Sequence, residues 1–141
     1  MTESPNFRLF NPSTMAKPVA GFSNVAEVRG GKLVYTAGQV ALDPSGKLVG
    51  DGDFRAQIEQ VFQNLKLAVE ATGGTFFDVI KLNYYIVEAG HLSELASLRE
   101  VRDRFVNTGN PPASTLLFVS RLARPEWLVE VEAIAVVPDE D

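Results

Sequence analysis

The chain has 141 residues, of which 45% are hydrophobic and 22% charged, as expected for one globular domain with its own core. It contains no cysteine, which excludes disulfides, thiolate nucleophiles and cysteine-ligated metal sites. The net charge of −5 and the lack of a lysine or arginine cluster argue against nucleic acid as a partner. No stretch approaches the roughly 20 apolar residues of a membrane span, and the N-terminal residues lack the pattern of a secretory signal, so we expect a cytoplasmic protein that does not bind membranes.

The N-terminal part of the chain is predicted to be the least regular. Residues 1–19 carry prolines and a polar stretch, which predict an irregular lead-in or edge segment. A single domain is expected over residues 20–138, followed by a short acidic tail at 139–141. Runs rich in β-branched and aromatic residues lie at 25–28 and 32–37, and the paired glycines between them predict a hairpin.

Two helices and three further strands are predicted downstream. Apolar residues recur at helical spacing over 54–69, with Asp51 or Asp53 as a cap and paired glycines as the stop. Strands are predicted at 79–87, 114–122 and 128–137. A second helix, with Ser93 as a possible cap, presents one mostly apolar side: Leu92, Leu95, Leu98, Val101, Arg102 and Phe105.

This order, ββαβαββ, predicts an α+β fold with two helices packed on one face of a mixed sheet. Ile80, Leu82, Tyr84 and Ile86 are expected to face the helices. The opposite face is predicted to be too apolar for solvent and too polar for a closed core: Lys81, Asn83, Tyr85, Leu116, Phe118, Glu130, Glu132 and Ile134. A subunit interface with embedded polar pockets explains this mixture best.

The last predicted strand contains two carboxylates in an otherwise apolar run. Because side chains alternate along a strand, Glu130 and Glu132 share a face with Ile134, while Val129 and Val131 point to the other. A carboxylate in such a run needs a partner, a shifted pKa or a wet cleft. Two interpretations stay open at this point: a solvated strand edge or subunit seam, and a functional cleft.

Four motifs in chain order resemble the RidA (YjgF) family, which also carries the older name L-PSP endoribonuclease. They are VYTAGQV at 34–40, VEATGG at 69–74, PAST at 112–115 and VEVEAIA at 129–135, and the resemblance covers about residues 20–137. The resemblance implies a chorismate-mutase-like α+β fold. It also implies a homotrimer whose sheets form a central barrel with the helices outside.

The resemblance also implies an activity, the hydrolysis of enamines and imines such as 2-aminoacrylate to a 2-keto acid and ammonia. On this chain the glutamate that holds the attacking water corresponds to Glu130. The backbone of the cleft corresponds to Gly38 with its neighbour Gln39, and the bordering aromatic residue corresponds to Phe22, where active members usually have tyrosine.

One position departs from the deaminase pattern. After Pro-Ala the deaminases have an arginine that clamps the substrate carboxylate, whereas this chain has Ser114. A neutral hydroxyl there favours a substrate without that carboxylate anchor, and it predicts poor turnover of 2-aminoacrylate. Arg99 on the second helix is a candidate replacement charge, and its alternative interpretation is a solvated helix-face arginine.

The sequence therefore supports two function classes. The first is a hydrolase acting on an imine, an enamine or a related carbonyl derivative in a cleft between subunits. The second is a trimer that binds a small ligand without turnover, as a carrier or regulator. A ribonuclease fits the acidic composition poorly. With one histidine, His91, and no cysteine, we expect neither a metal nor a cofactor.

Overall fold

A computed structural model describes residues 4–88 and 94–140, and its central feature is a four-stranded mixed sheet. The elements in chain order are β1 (Phe7–Phe10), β2 (Val25–Val28), β3 (Lys32–Tyr35), α1 (Phe54–Glu70), a short 3-10 turn (Phe76–Asp78), β4 (Val79–Val87), α2 (Leu95–Asp103), β5 (Ala113–Val119) and β6 (Val129–Val137). The central sheet has the order β3-β6-β4-β5, with β4 and β5 parallel and the other pairs antiparallel. Strands β3 and β5 are therefore its edges, and the predicted α+β arrangement is confirmed.

Helix α1 has the cap and the stop that its sequence predicts. The Oδ1 atom of Asp53 accepts a hydrogen bond from the Ala56 amide at 3.1 Å, and Gly73 takes a left-handed conformation with φ of +91° just beyond the helix. Only α2 from Leu95 onward can be compared with the prediction, because His91, Leu92 and Ser93 lie outside the described residues. No helix in the described ranges has the length and apolarity needed to cross a membrane.

The main core lies between the helices and one face of the sheet. Alternate residues of β6 contribute to it, as the period of two predicts: Val129, Val131, Ala133, Ala135 and Val137 are buried. Aromatic side chains fill the space under the helices, where the rings of Phe62 and Phe76 stack with centroids 5.7 Å apart. The other face of the sheet is left without a helix layer.

A buried glutamine joins helix α1 to the start of β6. Gln57 is fully buried, and its Nε2 donates to the carbonyls of Gly50 and Glu126, both at 3.0 Å. Its Oε1 accepts a hydrogen bond from the Leu128 amide at 2.9 Å. The amide is thus fully satisfied in an apolar setting, where an unpaired one would be costly. It fixes the chain immediately before β6.

The predictions for the N-terminal part were wrong in two respects. Residues 7–10 are not irregular, because they form β1, whose Phe7 and Leu9 pack against Ile80 and Val136 on the side of the sheet away from the helices. Strands β2 and β3 do not form a hairpin, since β2 pairs with β1 and β3 pairs with β6. The glycines between them let the chain leave one sheet and enter the other, and Gly31 adopts a φ of +84° there.

Two assignments to sheet faces were also wrong. Leu116 and Phe118 lie on the helix side, because the parallel register pairs them with Tyr84 and Ile86. Ile80 turns to the opposite side, because a register shift between Val79 and Lys81 interrupts the alternation of β4. The first correction matters most for function, since the same register places Ser114 opposite Leu82 on the helix side.

Candidate functional site

The first group of candidate residues lies on the face of the sheet that the helices leave uncovered. Alternation along β6 places Glu130 and Glu132 there, both partly buried. The Glu132 carboxylate accepts two hydrogen bonds: the Tyr85 hydroxyl donates to its Oε1 at 3.1 Å, and Asn83 Nδ2 donates to its Oε2 at 3.5 Å. Glu130 has no comparable side-chain donor among the described residues, so its carboxylate remains able to bind something else.

Gly38 makes room for the Glu130 carboxylate. The segment that continues β3 runs beside β6, with the Thr36 amide donating to the Ala133 carbonyl at 3.0 Å and the Gln39 amide to the Val131 carbonyl at 2.8 Å. Gly38 therefore lies over Glu130, and a Cβ atom at this position would collide with the carboxylate, whose Cδ would be only 2.8 Å away. A glycine is required here for space rather than for its backbone angles.

The environment of Glu130 favours its protonated form. Burial raises the pKa of the Glu130 carboxyl above its ordinary value, and the negative charge of nearby Glu132 raises it further. Such a shift brings a carboxylate closer to the pH at which a general base is most effective. Gln39 contributes through its backbone pairing with Val131, while its side chain donates to the Ala37 carbonyl at 3.2 Å.

The second group of candidates lines a cleft of about 350 Å³ on the helix side of the sheet. Phe22, Arg99 and Ser114 all border it, so these three sequence-predicted residues are brought together. Phe22 is held in place by its neighbour Ser23, whose hydroxyl donates to the Pro111 carbonyl at 2.6 Å and whose amide donates to the Pro112 carbonyl at 3.1 Å. Arg99 reaches the cleft from helix α2.

Sequence reasoning missed two polar residues of this cleft, Tyr84 and Arg102. Both had been assigned only to apolar faces of their elements. The signal was present in the second case, because an arginine in an otherwise apolar helix stripe must place its charge somewhere specific. The remaining walls are apolar: Ala20, Leu95, Leu98 and Leu116.

The two groups lie on opposite faces of one sheet. Glu130 projects from the uncovered face, while Ser114 projects from the face that carries the helices. They also lie toward opposite edges, since Gly38 follows β3 and Ser114 belongs to β5. One copy of the chain therefore cannot bring them to a single ligand. Within residues 4–88 and 94–140, no group of three or more His, Cys, Asp or Glu side chains is arranged to hold a metal ion.

A family profile and two curated proteins match most of this sequence. The sequence profile of the family described as Endoribonuclease L-PSP matches residues 13–137. Protein DfrA of Myxococcus xanthus is 36% identical over 120 residues, which cover 85% of this chain and 88% of that protein. A 2-iminobutanoate/2-iminopropanoate deaminase of Salmonella typhimurium is 32% identical over 108 residues, which cover 75% of this chain and 80% of the deaminase.

A solved structure agrees with the sequence matches. The Rid-family protein YyfB of Yersinia pestis superposes with a TM-score of 0.82 at 36% identity, over 94% of this chain and 99% of that protein. The agreement extends over the central sheet and the helix layer, and the family profile spans both groups of candidate residues. The chain belongs to the Endoribonuclease L-PSP family, the RidA (YjgF) proteins, as its four sequence motifs implied.

Proposed function

We propose that this protein is a homotrimeric hydrolase that cleaves a C=N bond, in an imine, an enamine or a related carbonyl derivative of a small molecule. The observation that carries the proposal is Glu130, a partly buried carboxylate with a raised pKa, held against Gly38 without a side-chain donor of its own among the described residues. The deaminase name of the Salmonella relative supports the same reaction class.

The site would be completed between two copies of the chain. The edge strands of the central sheet are β3 and β5, so a ring of copies can place the β3 edge of one beside the β5 edge of the next. Such a seam joins Gly38 and Glu130 of one copy to Ser114, Phe22 and Arg99 of another. This arrangement brings together the two opposite edges toward which the groups lie in a single copy.

In this proposal the reaction is a hydrolysis. Glu130 takes a proton from a water molecule, whose oxygen attacks the imine carbon, and gives that proton to the nitrogen. The hydroxyl proton of the resulting tetrahedral adduct is then passed to the nitrogen through Glu130, and the C–N bond breaks, which releases ammonia and leaves a carbonyl compound. The Gly38 amide donates to no acceptor among the described residues, so it is available to polarise the electrophile.

Ser114 limits the range of good substrates in this proposal. Its hydroxyl cannot form the two parallel bonds that an arginine makes to a carboxylate, so strand β5 provides no carboxylate anchor. We therefore expect slow turnover of 2-aminoacrylate. The same residue supports the second candidate function, a trimer that retains the cleft and binds a small ligand without hydrolysing it.

Ammonia release from freshly generated imines, both 2-iminobutanoate and an imine without a carboxylate, tests the proposal on whichever substrate the wild type turns over. Glu130→Gln is expected to lower kcat/KM by at least about 100-fold, a common contribution of a general base. Glu70→Gln, the same change at an exposed helix carboxylate that pairs with Lys66, serves as the matched control and should leave the rate unchanged. Equal rates in the wild type and Glu130→Gln would overturn the assignment. Ligand binding without turnover on any imine would favour the binding trimer.

A further inference from the structure

We propose that Arg102 of helix α2 binds the carboxylate of the ligand, and that the ligand is a small monocarboxylate with an apolar body. This inference rests on the proposed function only in taking the cleft beside Ser114 as the ligand site. It names a recognition residue and a ligand class for that cleft. The cation that strand β5 lacks is supplied by the helix on the opposite wall.

The guanidinium of Arg102 is held in position before any ligand binds. Its side chain is only 12% exposed, and its Nε lies 2.9 Å from Oδ1 of Asp103. The terminal nitrogen is packed against Gly21, where a Cβ atom would come within 2.7 Å of it. No described residue accepts a hydrogen bond from the two terminal nitrogens. Those nitrogens are the part of the fork that can grip a carboxylate.

A second donor in the cleft also lacks an acceptor. The Tyr84 hydroxyl is buried, with the residue 2% exposed, and it has no hydrogen-bond partner among the described residues. Burial raises the pKa of Tyr84 well above its ordinary value, so the group stays a neutral donor. A buried hydroxyl without a partner is uncommon in a stable protein. A carboxylate bound at Arg102 would provide the missing acceptor.

The charge of the cleft favours an anion. Arg99 and Arg102 both line it, and none of the described residues that line it is acidic. Arg99 is exposed and makes no ion pair with any described carboxylate, so it adds a positive charge to the wall of the cleft. This concentration of positive charge is local, since the whole chain has a net charge of −5.

The walls of the cleft determine the rest of the ligand. Phe22, Leu95, Leu98 and Leu116 surround the polar groups, and the volume of about 350 Å³ is at the lower end for small-molecule sites. A three-carbon acid would leave most of these walls in contact with water. A branched or aromatic monocarboxylate would cover them.

Binding of isovalerate and of its neutral isostere isovaleramide tests the inference, followed by NMR chemical-shift titration of the wild type. Arg102→Gln is expected to weaken isovalerate binding by about tenfold or more, as the loss of a charge-assisted hydrogen bond commonly does, and to change isovaleramide binding little. Arg104→Gln removes the same charge just past α2, from a side chain paired with Glu59, and should leave both affinities nearly unchanged.

A second variant is expected to raise the affinity for isovalerate rather than lower it, and it keeps the packed Arg102 side chain. Asp103→Asn removes the negative charge beside Arg102, at a side chain that is 47% exposed, while the asparagine oxygen can still accept from Nε, so it should strengthen isovalerate binding. Equal affinity for isovalerate and isovaleramide, or an equal loss in Arg102→Gln and Arg104→Gln, would overturn the inference. These titrations measure binding and need no turnover. The Arg102 inference can therefore fail while Glu130→Gln still abolishes hydrolysis, and the proposed hydrolysis can fail while Arg102 still binds the carboxylate.

Discussion

Glu130 and Glu132 are chemically identical and two positions apart on β6, yet their surroundings give them different tasks. Glu132 accepts hydrogen bonds from Tyr85 and Asn83, which fix its orientation. Glu130 lies against a glycine instead, where burial and the neighbouring charge disfavour ionisation. Glu132 therefore acts on Glu130 through its negative charge, while Glu130 is free to contact a ligand.

The pH dependence of hydrolysis should depend on Glu132. The Glu130 carboxyl must be ionised to accept a proton, and its raised pKa sets the acidic side of the rate profile. Glu132→Gln removes the like charge, lowers the pKa of Glu130 and should shift the acidic side of the kcat/KM profile to lower pH. Burial still raises the pKa, so the shift is partial. An unchanged profile, or a shift to higher pH, would contradict this assignment.

At this scale the sequence predicted some residues well and others poorly. Alternation along a strand was enough to place Glu130 on the uncovered face, since β6 is regular throughout. The role proposed for Arg102 depends on Gly21, which lies far from it in sequence and makes room for its guanidinium. Local periodicity reports which side of a helix a residue occupies, but not what lies opposite it.

Among the elements, the segment that continues β3 sets the space around the Glu130 carboxylate. It is bound to β6 by backbone hydrogen bonds on both sides of Gly38, from Thr36 and from Gln39. Its path over the Glu130 carboxylate is therefore set by the sheet, and Gly38 cannot move away from a larger side chain without breaking these bonds.

Gly38→Ala should damage the reaction more than the fold. The added methyl group would displace the Glu130 carboxylate, so we expect a loss in kcat/KM of about 100-fold, comparable with a misplaced general base. The cost in unfolding free energy should stay within about 1–3 kcal/mol, typical of overpacking. Gly46→Ala is a useful contrast, since no heavy atom lies within 4 Å of a Cβ there although its φ is +84°. Ammonia release and chemical denaturation of both variants check this. Normal turnover in Gly38→Ala would show that the close approach has no catalytic role.

Elements defined by interactions between residues close in sequence were predicted correctly, whereas features set by pairing with a distant strand were not. The bounds of α1 and β4 follow from local periodicity and local stops, and both were predicted correctly. The pairing of β1 with β2 and the facing of β5 were not, because register against a distant strand decides them. Ser114 illustrates the consequence, since its side of the sheet is fixed by Leu82 and not by its own neighbours.

The whole molecule carries an uncovered sheet face that is rich in apolar side chains. Leu33, Tyr35 and Leu117 are 54%, 68% and 49% exposed on it, although β1 and β2 cover one end. Large apolar side chains grouped on one surface commonly mark an interface. The proposed trimer would bury them while joining the two halves of the site.

Leu117→Glu should therefore separate the copies and abolish hydrolysis together. A charge on this face would have to lose its hydration in the assembled ring, which is unfavourable unless it is paired. Sedimentation should show a trimer for the wild type and a smaller species for the variant. Phe77→Glu places the same charge at a residue that is 48% exposed in the turn before β4, and it should remain trimeric and active. A monomeric wild type with full activity would contradict the shared site.

The hydrogen bonds of Gln57 to the residues before β6 have a consequence for the chemistry of the whole protein. Gln57 holds the Leu128 amide, and the next residues alternate strictly between the two sides of the sheet. If the strand slipped by a single position, valines would occupy the uncovered face beside Gly38 and both acids would be forced under the helices. One uncharged side chain on α1 thus helps to decide which chemical groups the uncovered face of the sheet presents.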